Sequence, residues 1–285
     1  MWGPLEARLT ARRVITLDLP GTGESSIPQR PLHVCEIADL VDRVMDRLGY
    51  ETLDVLGYSF GGAIAQMLAY RHPSRVRKLA LISTIVGVGS VPGAAVAFFT
   101  TSLPIRYWWP WLYKTTYVTT VGGPQPDPQA FREQMAMRKA APPSLPGYAW
   151  QWMAAMSWSS LGWLERIPHP TLVVSGTDDR LVPHANSMNI ASRIPNARLF
   201  LAEGEGHMLL FDKRCAALPV IASFFDAEPA TDETRWSTFD KPNTADYRRA
   251  VRTRFGRGSV GAAGTKALLG FQKLVRVVYG RTLRD

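Results

Sequence analysis

The pentapeptide Gly57-Tyr58-Ser59-Phe60-Gly61 lies between an apolar run at residues 52–56 and a small-residue segment at residues 63–70. In that setting it places a serine on a sharp strand-to-helix turn. The turn forces the middle residue into a strained backbone, glycines leave room on either side, and the hydroxyl projects above the sheet. The backbone N–H of Phe60, at the helix start, is then aimed where an acyl intermediate would carry its oxyanion. The chemistry is nucleophilic acyl transfer. A serine hydroxyl is a weak nucleophile near neutral pH, so it needs a base that is itself oriented by a carboxylate.

On an elbow of this kind the chain order is serine, acid, histidine. Five histidines are available. His33 precedes the serine, His72 sits in a helix-ending His-Pro, and His169 lies in a loop before a strand. His184 shares a loop with the acidic candidates, whereas His207 follows the next strand after Gly204-Glu205-Gly206 and can swing over the serine. His207 is therefore the expected base. Asp178 and Asp179, in Gly176-Thr-Asp-Asp-Arg-Leu-Val-Pro183, both stand at the C-terminal end of an apolar strand, where sites form in parallel sheets. Position alone does not separate them, and the one not used is expected to cap the turn. Tyr58, beside the serine, is the candidate for lining an acyl pocket.

The elements that must hold these residues alternate. Short apolar runs at residues 13–17, 52–56, 76–82, 171–174 and 198–201 read as strands, and residues 36–48, 63–70 and 216–225 read as helices. Alternation of this kind gives an α/β fold with a mostly parallel sheet covered on both faces. The pattern breaks at residues 87–166, which hold seven of the nine tryptophans: Trp108, Trp109, Trp111, Trp150, Trp152, Trp158 and Trp163. This segment is expected to be a helical lid. Its rings suit both core packing and an apolar substrate pocket. The predicted organisation is a first core part at 1–86, the lid at 87–166, a second core part at 167–227 and a linker with a basic tail at 228–285.

Residues 79–105 carry no charge, long enough to span a bilayer, yet Gly87, Gly89, Ser90, Pro92 and Gly93 interrupt them and residues 79–82 suit a buried strand better. The start of the chain shows no secretory signal pattern. Cys35 and Cys215 are the two cysteines, so a disulfide framework and a CxxC metal pair are excluded, and a reducing, cytoplasmic setting is expected. No cofactor or metal is called for.

The net charge of +9 is unevenly placed. Residues 241–285 hold 11 Lys/Arg against Asp246 and Asp285, while acidic and basic side chains balance in the rest. A general nucleic-acid footprint is therefore not expected. Within the tail, Leu268, Phe271, Val275 and Val278 recur at helical spacing with Lys266, Lys273 and Arg276 off the stripe. Two expectations follow: a helix docked on the body, or a contact at an anionic lipid or polymer-granule surface, peripheral to the cytoplasm.

Asp18-Leu-Pro-Gly-Thr-Gly-Glu-Ser25, the serine elbow, the 176–183 loop and Gly206-His207 together resemble the α/β-hydrolase superfamily over about residues 1–226. Within it, residues 158–174 and 194–198 are similar to the intracellular medium-chain-length poly(3-hydroxyalkanoate) depolymerases. In that family the acid stands four residues before the loop proline, which implies Asp179. The resemblance implies a cofactor-free serine hydrolase acting on medium- or long-chain acyl esters, polyhydroxyalkanoate among them. It also implies strands and an oxyanion loop ahead of Trp2-Gly-Pro-Leu, and this chain is expected to lack them. Epoxide and haloalkane hydrolases would need an aspartate at position 59. C–C hydrolases and cofactor-free haloperoxidases keep the serine, and the triad does not separate them. The competing reading is a weakly active or non-catalytic protein of this fold, bound through its tail to an anionic lipid or granule.

Overall fold

The sheet is built from four short segments rich in Val, Leu and Ile, residues whose branched or bulky side chains pack well on a pleated surface. In the computed structural model these are β1 (Leu53–Tyr58), β2 (Val76–Ile82), β3 (Thr171–Gly176) and β4 (Ala197–Ala202), hydrogen-bonded in that order and parallel throughout. The structure describes residues 2–102, 109–125, 127–140, 142–227, 239–256 and 258–281. The linker expected at residues 228–233, and Trp108, lie outside them.

Parallel neighbours need crossovers, and helices supply them. Helices α1 (Gly3–Glu6), α2 (Val34–Arg47) and α3 (Phe60–Arg71) belong to the first half. Between β2 and β3 come α4 (Ala95–Ser102), α5 (Pro110–Val121), α6 (Pro128–Ala140) and α7 (Leu145–Met156). Then follow α8 (Ala185–Arg193), α9 (Ala217–Asp226), α10 (Thr244–Phe255) and α11 (Gly258–Arg281). One face of the sheet carries a core from α2, α3 and α8 with Trp158, Trp163 and Ile167; the other carries α9 with Leu5, Leu209 and Leu210. A sheet dry on both faces explains why β3 is buried at every position.

Two expectations need correction. Residues 13–17 are not a strand: their peptide groups have no backbone partner among the described residues. An apolar run becomes a strand only beside a hydrogen-bonding neighbour, and here a cavity separates the run from β1. In the tail, the docked stripe of α11 runs through Thr265, Leu268, Gln272, Val275 and Tyr279, whereas Phe271 faces solvent. A buried polar pair causes the shift. The Gln272 amide donates to the Gly89 carbonyl and to the Tyr247 hydroxyl, both at 2.6 Å, and draws that side of the helix inward. The side chain of Val278 is not described.

The aromatic-rich segment divides its rings. Trp158 and Trp163 join the core, with Trp163 stacked on Tyr70 at 4.5 Å, whereas Trp109 and Trp111 are exposed. No helix among the described residues is long and apolar enough to cross a membrane.

Candidate active site

Ser59 follows β1 directly and precedes α3, and its backbone sits at φ 53°, ψ −122°. A non-glycine residue at positive φ costs of order 1–3 kcal/mol and persists only where its surroundings impose it. Three features do so. A Cβ on Gly57 would run into the Gly61 carbonyl and Ala65, and one on Gly62 would run into the Thr84 side chain. The Thr84 hydroxyl donates to the Ser59 carbonyl at 2.7 Å. The Ser59 N–H donates to the Ile82 carbonyl at 2.9 Å, which locks the turn to the end of β2. The steric need for glycine thus falls on Gly57 and Gly62, while a Cβ on Gly61 would meet open space.

The serine Oγ lies 3.1 Å from Nε2 of His207, and His207 Nδ1 lies 2.8 Å from Oδ2 of Asp179. The other carboxylate oxygen of Asp179 accepts the N–H groups of Leu181, at 3.0 Å, and Val182, at 2.7 Å. Both oxygens are therefore engaged, and the Asp179 side chain is fully buried. A buried carboxylate that accepts hydrogen bonds on both oxygens is held in one orientation, and it fixes the imidazole with Nε2 toward the serine. Phe60 N–H, at the first position of α3, has no acceptor among the described residues. It remains available to an incoming anion.

The two neighbouring aspartates have different work. Asp178 accepts the Gly123 N–H at 2.8 Å and so holds the loop that leaves α5. The other histidines stand elsewhere. His33 caps α2, His72 pairs with Asp39 at 2.8 Å, and His184 faces the Thr177 carbonyl at 3.2 Å. His169 is buried against the Ala69 carbonyl, and desolvation lowers its pKa.

Tyr58 donates its hydroxyl to the His207 carbonyl at 3.0 Å, and its ring lies 5.2 Å from the imidazole. The His207 N–H donates to the Val121 carbonyl at 2.8 Å, so the histidine loop is gripped from β1 on one side and α5 on the other. Sequence reasoning missed Thr84 and Val121. Neither carries a motif, and each meets the site only through contacts distant along the chain.

The comparisons with known proteins agree with this geometry. The family described as the alpha/beta hydrolase fold matches residues 4–120 and 131–214. The chain belongs to the α/β-hydrolase family. This hydrolase is 37% identical over 217 residues to the poly(3-hydroxyalkanoate) depolymerase of Ectopseudomonas oleovorans, a match covering 75% of each protein. It is 26% identical to the 2-hydroxymuconate semialdehyde hydrolase of Pseudomonas sp. (strain CF600), covering 75% of the chain and 76% of that protein. Among solved structures, an esterase from Exiguobacterium antarcticum superposes with a TM-score of 0.67 at 20% identity, over 79% of this chain and 87% of that one. That likeness speaks to the fold alone.

Proposed function

We propose that the chain is a serine hydrolase of apolar carboxylic esters. The observation that carries this reading is the unbroken hydrogen-bonded line from Ser59 through His207 to Asp179. Ser59 Oγ attacks the acyl carbon while His207 Nε2 takes its proton, and the carbonyl electrons move onto an oxyanion facing Phe60 N–H. The intermediate collapses by breaking the ester C–O bond, and His207 returns the proton to the leaving alkoxide. Water then adds to the acyl-enzyme with His207 as base, releasing the carboxylic acid and restoring Ser59. Asp179 orients the imidazole and stabilises its charged form throughout.

For the substrate, we read a medium- or long-chain acyl ester, with polyhydroxyalkanoate oligomers as the leading class. Supporting this are the depolymerase name carried by a 37% identical relative and the aromatic-rich helices α4–α7 inserted between β2 and β3. The test is hydrolysis of p-nitrophenyl octanoate against p-nitrophenyl acetate, with Ser59→Ala alongside. Octanoate preference that disappears in the variant supports both parts of the reading. Octanoate hydrolysis that survives Ser59→Ala overturns the nucleophile, and a preference for acetate overturns the substrate class.

A further inference from the structure

We propose that the cavity between residues 13–17 and β1 is a receptor for one more β-strand: an extended polypeptide segment with apolar side chains alternating to both faces, donated from outside the described residues. The cavity measures about 910 Å³, and its walls are largely main chain and apolar side chains of Val14–Leu17 and Leu53–Leu56, closed below by Leu68. Three observations carry the assignment.

The first is the character of β1. Val55 packs into the core on one face of the sheet, and Leu56 and Tyr58 pack toward the core on the other. Apolar residues to both sides mark a strand meant for the interior of a parallel sheet. Yet β1 pairs with β2 alone among the described residues, and it is only partly buried where β3 is dry throughout. Edge strands are ordinarily blunted by charges, prolines or a covering element. The single charge on β1, Asp54, is already bound by Arg12 and Arg77.

The second is the facing segment. Residues 13–17 are extended, and their peptide groups lack backbone partners among the described residues. They are also held apart from β1. At one end Arg12 is fixed to Asp54 at 2.7 Å and to Asp226 at 2.9 Å. At the other, Leu19 packs on the core and Gly21 lies against Gly147. The opposed rows of unmet N–H and C=O groups define the occupant, because only another peptide backbone offers donors and acceptors to both at strand spacing.

The third is Gly61. It lines this cavity, and a Cβ there would meet open space, so the floor beside the serine elbow is unfilled on this side.

The test attaches a flexible Gly/Ser linker and a six-residue Val/Leu/Thr strand ahead of Trp2, which itself lines the cavity. Amide hydrogen exchange is then read on β1. The expected result is fast exchange at the β1 amides that β2 does not engage, slowed by about 100-fold or more once the strand is attached, with a Tm higher by several degrees. A control extension with proline at alternate positions keeps the apolar character but cannot donate to the ladder, and it should protect nothing. Protection by the proline control would overturn the proposal in favour of a cavity for an apolar small molecule. Slow exchange at β1 in the unextended chain, or no slowing with the strand attached, would also overturn it. So would a dimer in sedimentation analysis whose β1 amides are protected only at dimer-forming concentrations, since the occupant would then be β1 of a second copy.

Discussion

β1 and β3 are strands of one sheet, equal in length and similar in composition, and each ends at a residue of the same hydrogen-bonded line. β3 has neighbours on both sides, is dry at every position and leads into the loop that fixes Asp179 through two backbone N–H groups. β1 has one neighbour, is half-exposed along most of its length and leads into Ser59. The acid is therefore held by a rigid interior, and the serine by an element supported from one side. The strained backbone of Ser59 is maintained chiefly by β2 and by Thr84, which lie on the supported side.

The contrast can be broken most forcefully at the chemistry. Ser59→Ala is expected to lower kcat for the ester by about four orders of magnitude or more, and Asp179→Asn by about 10⁴-fold through the wrong imidazole tautomer. Asp178→Asn should stay within about tenfold of the parent, because its carboxylate serves a loop rather than the imidazole. Steady-state kinetics on p-nitrophenyl octanoate checks all three. An Asp178 variant as damaged as the Asp179 variant would reassign the acid.

Next in size is the packing difference. Leu172→Ala in β3 removes a fully buried side chain and should cost about 2–5 kcal/mol. Leu56→Ala in β1 removes a half-exposed one and should cost well under that, since the site is already open to water on one side. Urea denaturation of the pair measures the gap, and equal losses would show that β1 is as enclosed as β3.

The two thiols sharpen the same comparison. Burial of Cys215 beneath α9 pushes its pKa up to about 11, so at pH 8 it is almost wholly protonated. Cys35, on α2, is partly exposed. A thiol reagent should label Cys35 first and leave Cys215 unmodified until the protein unfolds.

The smallest effect lies at the start of α2. The Arg30 guanidinium and the His33 N–H hold the Glu36 carboxyl down at about 2, below its ordinary 4.5. A depressed folded-state pKa contributes stability that is complete above pH 4.5 and disappears as pH falls toward 2. Glu36 is about one-third exposed, so solvent screens much of it. Thermal melts of Glu36→Gln and the parent should differ slightly at pH 7 and converge near pH 2.

Much of this molecule was legible before any coordinates. The strand-then-helix rhythm, the serine elbow and His207 follow from local pattern, because the 2.0 and 3.6 periodicities and the glycines of a tight turn are properties of neighbouring residues. The choice between Asp178 and Asp179 needed either a family resemblance or the structure. Both stand at the end of one strand, and only the third dimension shows which faces the imidazole. The tail illustrates the same limit. Helical spacing gives a stripe, but the buried Gln272–Tyr247 hydrogen bond decides which stripe docks.

By itself the sequence determined the fold class, the order of elements and the three residues of the hydrogen-bonded line, since each is written in short-range pattern. Tertiary structure alone decided that residues 13–17 are not a strand. A strand is a relation between two backbones, and whether a neighbour lies within hydrogen-bonding reach is not encoded in the segment that waits for it.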